Sequence, residues 1–159
     1  MAPNPIPEGY HSVTPYLTVD DASAAIDFYG RAFGAVEHVR MPSPDGKVAH
    51  AELQIGDSRV MLSDPFPHAE TKPPKELGGT SSGVFLYVED VDASFQQAID
   101  AGATVTMPLE DMFWGDRFGS LRDPFGHSWS LATHKEDLTE EQIAERSQEA
   151  MAAMTSGSG

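Results

Sequence analysis

Apolar and polar side chains alternate over residues 11–19, with Val13, Leu17 and Val19 on one face and Thr14, Tyr16 and Thr18 on the other. That is the period of a half-buried strand. Asp20 and Asp21 then supply N-caps, and Ala25, Ile26, Tyr29 and Phe33 follow at helical spacing, so a helix is predicted over 22–33, closed by Gly34. A strand at 35–41 leads into the turn SPDGK, and KVAHAELQI and SRVMLS form a hairpin joined by GDS. Within that hairpin, Ala49, Ala51, Leu53 and Ile55 suit packing under the helix, whereas His50, Glu52 and Gln54 take the opposite face.

The same order of elements is then written again. LTVDDASAAIDFYGRAFGA at 17–35 and LYVEDVDASFQQAIDAGA at 86–103 share the alternating start, the acidic pair, the helical stretch and the closing Gly-Ala. Aligned on this repeat, Tyr16 matches Phe85 and Thr18 matches Tyr87. The second helix is predicted over 91–101, with strands near 104–107, 117–122 and 128–133 and DPFGH as the last turn. The fold class is therefore α+β, two βαβββ repeats in sequence. The expected division is a lead at 1–10, a first unit at 11–64, a linker loop at 65–83, a second unit at 84–134 and a tail at 135–159. In the tail a Thr139–Gln142 capping box, with Ile143, Met151 and Met154 near one face, predicts a helix, and the final TSGSG is expected to be disordered.

Charge narrows the functions open to such a chain. Twenty-five acidic against ten basic residues give a formal charge of −15, which repels phosphate backbones and anionic membranes, so no nucleic acid is expected as a partner. No apolar run approaches the roughly 20 residues of a membrane span, and no secretion signal opens the chain, so a cytoplasmic location is expected. Without cysteine there is no disulfide framework, thiolate metal site or cysteine nucleophile.

Two groups of residues carry candidate chemistry. His50 and Glu52 lie two apart on one strand face, where a carboxylate can orient an imidazole for acid/base work or the two can serve as ligands of a displaced metal; an ordinary polar pair on a wet sheet face fits equally. The run MFWGDRFG concentrates Phe113, Trp114 and Phe118 around Gly115, which suits stacking on a flat ligand or plugging a core, with core favoured for Phe118. Tyr16, Phe85 and Tyr87 lie on the faces left free by the helices. His134 ends the last strand where alternation from Ser130 aims it at the mouth of the expected cavity. His11, His38 and His68 read as surface residues, His127 and Asp123 as parts of a turn, and no pattern places Arg59 or Arg122.

The duplicated units, with VAHAELQIGDSRVMLSD and MFWGDRFGSLRDPFGHSWSLATH, resemble the vicinal oxygen chelate superfamily of glyoxalases, extradiol dioxygenases and bleomycin-resistance proteins, and within it the PhnB-like branch, over roughly residues 11–134. The resemblance implies a glyoxalase-like curved mixed sheet around a central cavity, and commonly a homodimer whose units pair within or across chains. In metal-dependent members the ion is held from the first and last strands of each unit. Carried onto this chain, those positions fall at Thr14, near Leu62, at Gly83 and at Ser130, none of them a histidine or carboxylate, so no metal site of the usual kind and no cofactor are expected. The favoured expectation is a module binding a small aromatic or apolar molecule through Thr14, Tyr16, His50, Phe85, Tyr87, Phe113, Trp114, Ser130 and His134. The alternatives are an isomerase, lyase or dioxygenase using His50 and Glu52, or displaced metal ligands, and an interaction protein docking its tail helix on a second copy.

Overall fold

The computed structural model describes residues 1–157. In chain order the elements are β1 (Tyr16–Thr18), α1 (Ala22–Phe33), β2 (Val36–Pro42), β3 (Val48–Ile55), β4 (Ser58–Ser63), α2 (Pro74–Leu77), β5 (Gly83–Tyr87), α3 (Val91–Ala101), β6 (Thr104–Asp111), β7 (Asp116–Arg122), β8 (Ser128–His134) and α4 (Glu140–Ser156). They form two four-stranded mixed sheets of identical plan, β1-β4-β3-β2 and β5-β8-β7-β6, in each of which the first strand runs parallel to the last and the other pairings are antiparallel. The expected curved sheet is thus built as two halves. Pro15, Tyr16 and Leu17 meet Gly83, Val84 and Phe85 across a cleft of about 350 Å³.

Both long helices start as the sequence predicts. The Asp21 carboxylate accepts the Ala24 N–H and the Asp90 carboxylate the Ala93 N–H, each at 3.0 Å, and Gly34 and Gly102 close the helices with positive φ. A second clamp recurs in both units. Asp64, just past β4, accepts the Ala22 N–H at 2.8 Å, and Thr133 in β8 accepts the Val91 N–H at 2.9 Å. The first N–H of each helix is thereby tied to the end of its unit's last strand.

Alternation decides which face of each sheet is buried. Ala51, Leu53, Val60 and Leu62 in the first sheet, and Leu121, Trp129 and Leu131 in the second, turn toward the helices and join one core shared by both units. The helices α1 and α3 pack on each other, with Gln97 donating to the Arg31 carbonyl at 2.8 Å. Trp129 from β8 lies 5.1 Å from Tyr29 and 4.4 Å from Phe33, ring to ring. At about 1.5–3 kcal/mol for each large apolar side chain removed from water, this common interior holds the two units together more strongly than any surface pair.

Hydrogen bonds close the junction. The Tyr29 hydroxyl donates to Asp123 at 2.7 Å, the Trp129 indole donates to the same oxygen at 2.8 Å, and His127 donates through Nε2 to the Thr18 carbonyl at 2.9 Å. Burial, and after it the Asp123 charge, holds the Tyr29 phenol well above its ordinary range. The turn read at DPFGH is therefore also a staple between units.

Several expected boundaries shift. The first strand is three residues long; Pro15 has no N–H to give a ladder, Val13 stands in solvent, and Thr14 lies outside the strand. The linker contains one helical turn, α2, because Pro74 sits at its first position and Gly78 closes it. In the second unit β5 begins at Gly83, and β6 runs on through Asp111. The capping box at Thr139 and Gln142 starts α4, but the helix buries no residue, and Met151 and Met154 face solvent. Thr155 and Ser156, expected to be disordered, end α4, their hydroxyls donating to the Ala152 carbonyl, and residues 158–159 lie outside the described residues.

Candidate functional site

The sheet faces turned away from the helices hold two clusters of polar and aromatic side chains. Register fixes their layout. Leu17 pairs with Leu62 and Leu86 with Leu131, so Tyr16 corresponds to Phe85, Thr18 to Tyr87 and Met61 to Ser130. Tyr16, Phe85 and Tyr87 stand 49%, 47% and 64% exposed.

On the first sheet, Tyr16, Met61, Glu52 and Val39 form one row across four strands. The Tyr16 hydroxyl lies 3.0 Å from His50 Nδ1, His50 Nε2 lies 3.1 Å from Glu52 Oε1, and the Tyr10 hydroxyl donates to Glu52 Oε2. A carboxylate only accepts, so Nε2 carries the hydrogen that His50 gives Glu52, and Nδ1 faces the Tyr16 hydroxyl. The bonds from Tyr10 and His50 outweigh burial and hold the Glu52 carboxyl below its ordinary range. Burial, with help from Glu52, pushes the Tyr10 phenol up to about 12. The arrangement is that of an oriented base, the imidazole fixed by a carboxylate with one nitrogen aimed at a half-exposed hydroxyl.

On the second sheet the aromatic side chains form a continuous shelf. Phe85 lies 5.1 Å from Tyr87 and is stacked at 5.6 Å on Phe118, which in turn meets Trp114 at 5.7 Å, and Phe113 stands edge-on to Trp114 at 5.1 Å. Phe118 thus belongs to the outer shelf and not to the core, because it shares the row of Tyr87 and Ala132. Below the rings the Ser120 and Ser130 hydroxyls are 2.9 Å apart. Beside them Asp116, 4% exposed, accepts from Tyr87 at 2.9 Å, Trp114 at 3.1 Å and His134 at 2.7 Å. Burial pushes the Asp116 carboxyl up, and these donors more than offset it, leaving the group below its ordinary range.

His134 bridges Asp116 and Asp137, at 2.7 and 3.0 Å, and the Asp116 bond above all raises its pKa. The shelf loop is fixed at Gly115, whose φ is 101° and whose carbonyl accepts from both Lys135 and Glu136. A Cβ there would come within 2.6 Å of the Glu136 carbonyl oxygen.

The structure thus gathers Tyr16, His50 and Glu52 in one place and Phe85, Tyr87, Phe113, Trp114, Ser130 and His134 in another, with no hydrogen bond or ring contact joining the two groups among the described residues. Thr14 is half-buried just before β1 and takes part in neither group's hydrogen bonds. Sequence reasoning did not single out Tyr10, Arg59, Met61 or Asp116. Alternation through β4 puts Arg59 and Met61 on the face of Glu52; Tyr10 has no such signal. The first unit's last-strand ligand position is Met61, not Leu62, which is fully buried under the helix. Thr14, Met61, Gly83 and Ser130 lack the imidazole and carboxylate donors that a divalent ion takes from such strands, so the residues present do not fit one there. No helix is long and apolar enough to cross a membrane among the described residues.

A duplicated βαβββ chain with a helix-free aromatic face defines a glyoxalase-like class of protein. The chain belongs to the Glyoxalase/Bleomycin resistance protein/Dioxygenase superfamily, whose family model matches residues 9–131. It is 50% identical over 135 residues to an uncharacterized protein of Mycobacterium bovis, covering 83% of this chain and 89% of that protein. Among solved structures it is similar to TioX from Micromonospora sp. ML1, with 31% identity and a TM-score of 0.63 over 78% of this chain and 98% of that one. A PhnB protein from Bacillus cereus matches at 22% identity and a TM-score of 0.60, over 77% of this chain and 99% of that one, a likeness of fold alone.

Proposed function

We propose that the protein is a small-molecule-binding member of its superfamily that holds a flat aromatic or apolar molecule on the second sheet. The observation that carries this reading is the unbroken run of five rings, Phe113, Trp114, Phe118, Phe85 and Tyr87, laid on a face that no helix covers. Each ring offers a stacking surface, and the hydroxyls of Ser120 and Ser130, with the Asp116–His134 pair, supply polar contacts at its border. A homodimer fits this reading, since a second copy would cover an apolar face that one chain leaves open; light scattering gives the mass.

Trp114 reports directly on the shelf, because the other tryptophan, Trp129, is fully buried. Titration with a panel of fused-ring aromatic compounds is expected to give saturable quenching in the native protein and none in Trp114→Phe. Quenching that persists unchanged in that variant defeats the proposal.

A second reading is supported by the alignment of Tyr16, His50 and Glu52: acid/base catalysis on a small substrate at the first sheet. Turnover lost in His50→Gln would place this reading ahead. The donor set at Thr14, Met61, Gly83 and Ser130 leads to an expectation of far less than one divalent ion per chain in protein purified without a histidine tag. Near-stoichiometric nickel, zinc, manganese or iron would reverse that expectation.

A further inference from the structure

Arg59 is the unexplained cation of the fold. It lies in β4 two residues before Met61, on the outer face, paired in register with Gln54. Its Nε and Nη1 are buried without a hydrogen-bond partner among the described residues. A guanidinium does not lose its proton in a protein, and buried N–H groups of a charge are costly when nothing accepts from them. The nearby carboxylate is Glu52, whose oxygens bond Tyr10 and His50 and leave Nε and Nη1 of Arg59 without an acceptor.

What covers Arg59 is the lead. The Tyr10 ring lies 5.5 Å from the guanidinium carbon, and Gly9, at φ 83°, passes so near that a Cβ would stand 2.9 Å from Nη2. Tyr10 therefore presents a ring to the cation and a hydroxyl to Glu52, while leaving the two N–H groups of Arg59 unanswered. The lead that carries it is held by little else: Ile6 is exposed, and residues 1–9 are exposed throughout. A side chain that fills the ring position but not the acceptor position marks what a better occupant would add.

We propose that Arg59 anchors the acidic group of a small hydroxyaromatic acid on the outer face of the first sheet, and that Tyr10 is the built-in occupant which this ligand displaces. The carboxylate of the ligand accepts from Nε and Nη2, which share the edge of the guanidinium that Gly9 now covers, its ring takes the place of the Tyr10 ring over the cation, and its hydroxyl takes the place of the Tyr10 hydroxyl on Glu52. The site is separate from the aromatic shelf and stands or falls without it. In a chain of net charge −15, the ligand's acidic group is held by this one guanidinium against a bulk field that repels it.

Calorimetry with 4-hydroxybenzoate and its neutral counterpart 4-hydroxybenzamide tests this. The acid is expected to bind at least about tenfold tighter than the amide in the native protein, and Arg59→Met is expected to erase that preference while Arg59→Lys keeps part of it. Tyr10→Ala is expected to bind the acid several-fold tighter than the native protein, because the competent, uncovered state no longer has to be populated against Tyr10. Urea unfolding confirms that Arg59→Met is folded; should it not be, the Arg59→Lys and Tyr10→Ala arms decide. Equal binding of acid and amide, a preference that survives in folded Arg59→Met, or unchanged or weaker binding in Tyr10→Ala overturns the proposal.

Discussion

Removing one oxygen at the junction of the two units tests how they are joined. Tyr29→Phe leaves the ring in place against Trp129 and Phe33 and deletes only the donor to Asp123, a carboxylate 4% exposed. Three donors remain on that carboxylate, the Phe125 and His127 N–H groups and the Trp129 indole. One hydrogen bond to a charged group contributes about 1.5–3 kcal/mol, so that is the expected loss of stability. Asp123→Ala strands all four donors and is expected to cost at least about 4 kcal/mol at about 1 kcal/mol or more for each. Once the acceptor is gone the hydroxyl has nothing to bond, so adding Tyr29→Phe to Asp123→Ala is expected to cost little more. Urea unfolding followed by circular dichroism reads all three as shifts in midpoint at unchanged slope. With a slope of about 1–3 kcal/mol per molar, Tyr29→Phe moves the midpoint by about 1 M. A shift under about 0.2 M, or strict additivity in the double variant, refutes the account.

Three further outcomes are expected. Because its folded pKa is raised by Asp116 and Asp137, His134 contributes stability that is complete below its unfolded value and fades as pH rises through the folded one; the melting difference between the native protein and His134→Gln should be larger near about pH 5.5 than near about pH 9, and a flat difference contradicts the ion pair. Gly115→Ala places a side chain at φ 101° and against the Glu136 carbonyl, so a loss of about 1–3 kcal/mol and weakened ligand quenching at Trp114 are expected in the same protein. Truncation before Glu140 removes a helix that buries no residue and should change the unfolding free energy by less than about 0.5 kcal/mol; a larger loss means α4 packs on something, and size measurement of both forms shows whether that is a second copy.

The elements that could be read from the chain were those where several local signals agree. Asp21 and Asp90 as caps, apolar residues at helical spacing and Gly34 and Gly102 as stops fix α1 and α3 to the residue. Strict alternation with a Gly-Asp turn does the same for β4 and for β3 except at its start, which falls at Val48 and not Lys47. The first strand is shorter than its alternation predicts: Val13 and Thr14 continue the pattern, yet Pro15 breaks the ladder before them. A single turn such as α2 is too short to show a period. The clusters were half legible. Outward-facing Tyr16, His50, Phe85 and Tyr87 follow from the two-residue period, as the inward placing of Leu62 does once the register is known. Contacts from outside the period escape such reasoning: Tyr10 reaches Glu52 across 42 residues, and Asp116 collects donors from three separate segments.

Continuity of the backbone contributes little to the union of the two units. Tyr29, Trp129, His127 and the two facing helices hold them from within, whereas residues 75–83 run exposed along the surface. A cut between Gly79 and Ser82 would leave α2 with the first piece, its Pro74 still lying against Gly126 of the second. The two fragments, produced as separate polypeptides, should recognise each other and refold into one body, each supplying the half of the interior that the other lacks. In that sense the protein is a heterodimer whose subunits happen to be translated in a single strand.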